Sequence, residues 1–255
     1  MSETLLKLEN ITQRFGGLTA IADVSIHVDK GEIVGLIGPN GAGKTTTFNV
    51  ITGVYNPTEG RVFYRGKEIT GEAIHRVTAV GMARTFQNIR LFKSLSILDN
   101  VKIGMHLDHG ASTAEDMFHA GRWKKNEKKT EREAMKLLAL TGLAQNADDT
   151  ADSLPYGSQR RLEIVRAMAT GAELLLLDEP AAGINEQETA DLMKFIRELR
   201  DKGYTVFLIE HDMKLVMNLC DRIYVQNQGH LITEGTPEEI QSNQAVIDAY
   251  LGTEV

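Results

Sequence analysis

The sequence predicts an α/β fold with a mainly parallel sheet, an antiparallel β-subdomain at the N-terminus and an inserted α-helical subdomain. Three observations point to it. Apolar runs at residues 32–37, 174–177 and 205–210 read as strands buried on both faces, as a parallel sheet requires. Residues 5–10 and 24–29 instead alternate apolar and polar, with Val24, Ile26 and Val28 set against Ser25, His27 and Asp29, as half-buried antiparallel strands do. Between Asn88 and Ala151 strand signals stop and helical ones take over.

The 32–37 run leads into Gly38-Pro39-Asn40-Gly41-Ala42-Gly43-Lys44-Thr45, a complete G-x-x-x-x-G-K-[ST] pattern, and residues 46–51 continue as a helix that Gly53 can end. Gly41 and Gly43 let successive backbone N–H groups point inward at phosphate oxygens, beside the positive end of the new helix. Lys44 is placed to reach the β- and γ-phosphates and Thr45 to hold Mg²⁺ through its hydroxyl, with Thr46 following them into the helix. The pattern predicts the phosphate loop of a P-loop NTPase core rather than a glycine-rich turn that merely links strand to helix.

Phe15 falls in a turn between the two alternating runs, where its ring either stacks on a nucleobase or packs on its own sheet. Residues 61–64 offer another short strand, 69–81 a helix, and 82–87 a strand that delivers Gln87 to the ligand edge of the sheet. There Gln87 either touches Mg²⁺ or the attacking water, or is a solvated loop residue. Ser96 caps a helix with Asp99 at its third position. Residues 123–141 are charged and then amphipathic; the cations Arg122, Lys124, Lys125, Lys128, Lys129 and Arg132 are interleaved with Glu127, Glu131 and Glu133, which favours a solvated, ion-paired face over a lipid or partner contact.

A second loop running into a helix spans residues 154–166, with Gly157 just before the helix start. Asp178 and Glu179 end the 174–177 run at the edge where ligands bind; there Asp178 orients Mg²⁺ and Glu179 polarises a water for in-line attack, or the pair only caps the next helix. Asn185 with Glu188 forms a capping box ahead of a helix buried through Leu192, Phe195, Ile196 and Leu199. His211 arrives at the end of a third strand, where an imidazole can donate to a γ-phosphate oxygen. A hairpin about Asn227-Gln228-Gly229 and a helix whose capping box is Thr236 with Glu239 complete the chain.

Composition sets the limits on function. The 255 residues carry a net charge of −7, which argues against bulk nucleic-acid affinity. The lone Cys220 excludes an internal disulfide and suits a reducing compartment. No apolar run approaches the roughly 20 residues that cross a bilayer, and the first residues lack a signal-peptide pattern, so membrane association is expected through a partner.

Phosphate loop, Gln87, the 154–159 loop, Asp178-Glu179 and His211 follow one another in an order that resembles the ATP-binding cassette (ABC) ATPases over nearly the whole chain. Arg84-Thr85-Phe86-Gln87, Leu91-Phe92, residues 160–164, residues 179–183, residues 210–213 and Tyr250-Leu251-Gly252 narrow the resemblance to ATPase subunits of branched-chain amino-acid importers, the LivG-like branch. The resemblance implies residues 1–87 and 160–234 as nucleotide-binding core, 88–159 as helical insertion and 235–255 as a helical tail. It also implies ATP and Mg²⁺, with Glu179, His211 and Gln87 catalytic and Thr45, Gln87 and Asp178 around the metal.

Two such subunits, identical or related, would close face to face, each ATP lying between one phosphate loop and the other subunit's Tyr156-Gly157-Ser158-Gln159. Transmembrane permease subunits would dock near Gln87, a periplasmic binding protein would act indirectly, and the chain would sit peripherally on the cytoplasmic face of the bacterial inner membrane. Two departures stand out. Pro155, Tyr156 and Ser158 replace the second, third and fifth residues of the usual Leu-Ser-Gly-Gly-Gln, leaving contact to Gly157 and the backbone N–H groups after it; and Asn185 replaces the usual aspartate. Alternatives are a cassette driving lipopolysaccharide export or urea uptake, and a soluble cassette of translation or DNA repair, which generally has tandem cassettes or a long coiled coil absent here. A guanine-nucleotide switch lacks its Asn-Lys-x-Asp.

Overall fold

A computed structural model describes residues 3–105 and 120–251, with side chains described except at 120–126 and 251. The chain forms two compact units, residues 1–87 with 173–255, and residues 88–172.

The first unit holds both sheets. β1 (Thr4–Phe15), β2 (Leu18–Asp29), β4 (Glu59–Tyr64) and β5 (Lys67–Glu68) make an antiparallel sheet in the order β2-β1-β4-β5. The alternation in the sequence is its inward face: Val24, Ile26 and Val28 are buried, while Ser25 and Asp23 face out. β3 (Ile33–Ile37), β6 (Met82–Arg84), β7 (Leu174–Asp178), β8 (Thr205–Ile209), β9 (Arg222–Asn227) and β10 (His230–Gly235) form the second sheet, ordered β10-β9-β3-β8-β7-β6. All its neighbours run parallel except the β9–β10 hairpin.

Every residue of β3, β7 and β8 is buried, as continuous apolar runs demand. Each fully buried Val, Leu or Ile there contributes about 1.5–3 kcal/mol. The core lies between the sheets and α1 (Lys44–Ile51), whose Phe48 ring sits 5.0 Å from that of Phe207. α2 (Ile74–Ala79), α6 (Glu186–Asp201), α7 (Met213–Leu219), α8 (Pro237–Gln241) and α9 (Gln244–Leu251) complete this unit. The capping boxes read at Asn185 and Thr236 both form, and Leu192, Phe195, Ile196 and Leu199 are the buried stripe of α6.

The helix expected over 69–81 is only α2. Ile69 N–H donates to the Val62 carbonyl and the Thr70 hydroxyl accepts from Val62 N–H, so this stretch finishes the β-sheet before Gly71, at φ +69°, turns the chain. The strand expected over 82–87 pairs only through Arg84; Thr85 donates one more bond to Leu176, and Gln87 lies beyond the ladder.

In the second unit, α3 (Ile97–Met105), α4 (Ala120–Ala139) and α5 (Tyr156–Met168) pack on one another. Ser96 Oγ accepts from Asp99 N–H, the cap expected there. On α4, Lys136 pairs with Glu133, while the side chains of Arg122, Lys124 and Lys125 lie outside the described residues. α5 belongs wholly to this unit because it packs on α3 and α4, so the compact boundary falls at 172/173 where the family resemblance implies 159/160.

Candidate nucleotide site

The phosphate loop is shaped by what surrounds it. A Cβ on Gly38 would stand 1.9 Å from the Gln226 carbonyl oxygen of β9, and one on Gly43 2.6 Å from Ile21 of β2. Gly43, at φ +100°, is the residue before α1, a conformation in which a side chain is strained. Pro39, Asn40, Gly41 and Ala42 cross between these two glycines, with Ala42 N–H bonded to the Pro39 carbonyl. Lys44 is buried, and its ammonium donates to the carbonyls of Gly38 at 2.7 Å and Pro39 at 3.0 Å. Burial pushes its pKa down, against the pull of the Glu179 and Asp178 carboxylates. Thr45 is exposed at the helix start and Thr46 half-buried beside it.

Asp178 ends β7 and is buried; its Oδ2 receives the Arg84 guanidinium at 2.6 Å. Glu179 follows at φ +46°, left-handed for a residue with a side chain, and its N–H donates to the Ile209 carbonyl of β8. Local strain of this kind clusters at functional sites. Gln87 Nε2 donates to Glu179 Oε2 at 2.7 Å, and His211 Nδ1 lies 3.9 Å from the same oxygen. The structure therefore brings Gln87, Glu179 and His211 together around one carboxylate, with Asp178 adjacent in sequence and Lys44 sensing both acids.

Two residues gain parts that local pattern did not assign. Glu210 is fully buried; its carboxylate accepts from Ala181 N–H at 2.8 Å and His211 N–H at 3.2 Å, fixing the turn after Glu179 to the end of β8, and burial pushes its pKa up. Gln226 is also fully buried, accepts from the Thr47 hydroxyl at 3.2 Å and backs both Gly38 and Gly43. Polar residues inside apolar strands were the available signal for both.

Phe15 ends β1 with its ring 42% exposed and edge-on to Tyr55 at 5.0 Å, so it has an aromatic neighbour and an open face.

In the second unit, α5 begins at Tyr156, earlier than expected, because Pro155 in an extended conformation serves as its cap and Gly157 is already helical. The N–H groups of Ser158 and Gln159, expected to be offered to phosphate, both bond the Pro155 carbonyl, and Ser158 Oγ accepts from Arg161. Gln159 Nε2 donates to the Leu154 carbonyl. Tyr156, 43% exposed, is the outward-facing side chain of this turn, with Arg160 against its ring and hydroxyl.

Among the described residues no helix is long and apolar enough to cross a membrane. The sequence matches a family model described as "ABC transporter" over residues 21–182 and a second, "Branched-chain amino acid ATP-binding cassette transporter", over residues 230–255. It is 45% identical to the high-affinity branched-chain amino acid transport ATP-binding protein BraF of Pseudomonas aeruginosa and 44% to LivG of Escherichia coli, in each case over 99% of both chains. Among solved structures, an ATP-binding cassette of an ABC transporter in its ADP conformation superimposes with a TM-score of 0.86 at 35% identity, covering 98% of this chain and 99% of that one. A nucleotide-free cassette does so at 0.84 and 34%, covering 97% and 98%. The chain belongs to the ABC transporter family, as one of its ATP-binding, ATP-hydrolysing subunits.

Proposed function

We propose that this ATPase powers uptake of branched-chain amino acids, acting peripherally at the cytoplasmic face of a bacterial inner membrane. It does so in a pair of ATPase subunits docked on transmembrane permease subunits, with a periplasmic binding protein delivering solute. The observation that carries the reading is similarity to branched-chain transport ATP-binding proteins along the full length, the terminal residues 230–255 included. The gathering of Lys44, Asp178, Glu179, Gln87 and His211 in one unit supports its chemistry.

In that chemistry the Lys44 ammonium leaves the Gly38 and Pro39 carbonyls for β- and γ-phosphate oxygens, while backbone N–H groups of the glycine-rich loop face the phosphates, that of Ala42 excepted because the Pro39 carbonyl takes it. Glu179 accepts the proton of a water aligned with the γ-phosphorus. Gln87 holds the carboxylate through its amide, and His211 donates to a γ-phosphate oxygen from the carboxylate's other flank. Thr45, Asp178 and the Gln87 amide oxygen are hard oxygen donors, the set that suits Mg²⁺ shared with a triphosphate, and these residues would hold it. The ion, when bound, neutralises charge developing on the phosphates. Phe15 offers its open face to the adenine. Tyr156 and Gly157 present the start of α5 to the partner's nucleotide; the Ser158 and Gln159 side chains shape that turn.

The test is reconstitution of this chain with its permease subunits in proteoliposomes, with receptor outside and ATP on the ATPase side. Labelled leucine should accumulate only when ATP, receptor and this chain are all present. Accumulation of urea alone, or none of any amino acid, would overturn the substrate assignment.

A further inference from the structure

Arg84 ends β6, three residues before Gln87, yet none of the roles above uses it. Its side chain and that of its partner Asp178 are each 8% exposed. One terminal nitrogen donates to Asp178 Oδ2 at 2.6 Å, and the other donates to Asn49 Oδ1 of α1 at 2.7 Å. The guanidinium carbon lies 5.7 Å from the Phe48 ring centroid and 5.4 Å from that of Phe86. Its buried Nε has no hydrogen-bond partner among the described residues. The fork thus bonds Asp178 and Asn49 even though a third nitrogen goes unmatched, with the rings of Phe48 and Phe86 beside it.

We propose that Arg84 is a positioning residue for Asp178 that makes metal binding contingent on nucleotide. The inference rests on Asp178 being a metal-site residue. With Oδ2 held by the guanidinium, Oδ1 is the oxygen left for a cation. A fixed positive charge at hydrogen-bonding distance from that carboxylate repels a dication arriving alone; the negative charges of a triphosphate offset this, so metal enters with nucleotide. The same arginine ties the strand leading to Gln87 to the helix that leaves the phosphate loop, through Asn49.

Manganese titration followed by electron paramagnetic resonance, with and without a non-hydrolysable ATP analogue, tests this on the full chain. Parent protein should bind Mn²⁺ weakly without nucleotide, and Arg84→Gln should tighten nucleotide-free binding by about tenfold, as removal of a nearby like charge in a partly buried site implies. Arg84→Lys, which keeps the charge, should stay near the parent. Nucleotide-free Mn²⁺ affinity in Arg84→Gln equal to that of the parent would overturn the proposal.

Asp178→Asn separates the two layers: if it leaves nucleotide-dependent Mn²⁺ binding unchanged, the metal role of Asp178 fails. If it abolishes that binding while Arg84→Gln changes nothing, only the role of Arg84 fails. Should Arg84→Gln not fold, adding Asp178→Asn removes the orphaned carboxylate and should restore a cooperative melt. A double variant no more stable than the single would overturn the pairing.

Discussion

Lys44→Met separates binding from folding more cleanly than any other change in the site. Among the described residues the ammonium bonds only two carbonyls of its own loop, Gly38 and Pro39, while burial opposes its charge. Removing it loses two charge-assisted bonds of about 1.5–3 kcal/mol each. It also relieves a buried cation, whose desolvation costs several kcal/mol. The two nearly cancel, so folding stability should change by no more than about 2 kcal/mol, or about 4–8 °C in melting temperature for a chain of this size. No such cancellation protects ATP binding: losing both phosphate contacts costs about 3 kcal/mol or more, so affinity should fall by about 100-fold or more.

Calorimetric titration with ATP and thermal unfolding of the nucleotide-free protein give the two numbers. Affinity within about threefold of the parent would refute the phosphate assignment. A melting temperature lowered by about 15 °C would show that the lysine holds the loop together and that the cancellation is wrong. The pH dependence follows with a definite sign. A lysine whose folded pKa lies below its unfolded value binds fewer protons when folded, so its cost is fully present below the folded pKa and is relieved as pH rises toward 10.5. Lys44→Met should flatten that alkaline gain in stability.

Gly38→Ala places a methyl carbon 1.9 Å from the Gln226 carbonyl and forces β9 away from β3; it should destabilise the chain by about 3 kcal/mol and weaken ATP binding, whereas an unchanged melt would mean the loop yields freely. Phe15→Ala should weaken ATP more than inorganic triphosphate, because the lost contact is to the base; equal losses for both ligands would return the ring to its packing on Tyr55. Glu210→Ala should loosen the turn that carries Glu179, through loss of the bond from Ala181 N–H, and lower turnover about tenfold or more with ATP affinity little changed; parallel losses in both would show a folding defect instead.

Features set by neighbouring residues in sequence are legible in the sequence alone. The phosphate loop, the two carboxylates after a buried run and the capping boxes at Asn185 and Thr236 each follow from local chemistry, and each appears where expected. What sequence reading missed depends on contacts distant along the chain. Ile69 and Thr70 look helical in isolation, but Val62 supplies both of their hydrogen bonds. Arg84 lies inside the strand read over 82–87, and only the pairing of β6 with β7 sets it against Asp178. Glu210 and Gln226 were visible as polar residues in apolar strands, but their partners, Ala181 and Thr47, lie 29 and 179 positions away. The early start of α5 follows from Pro155 acting as cap, which a motif comparison centred on Gly157 does not show.

Glu179 is the residue on which the catalytic proposal turns, and Glu179→Gln tests it with the least disturbance, since an amide can still meet Gln87 across the same 2.7 Å. The measurement is single-turnover release of phosphate from γ-labelled ATP, made alongside ATP retention on the same protein. ATP should stay bound at near-parent affinity with phosphate release slowed by about 100-fold or more. Release at the parental rate would contradict it and remove Glu179 as the base.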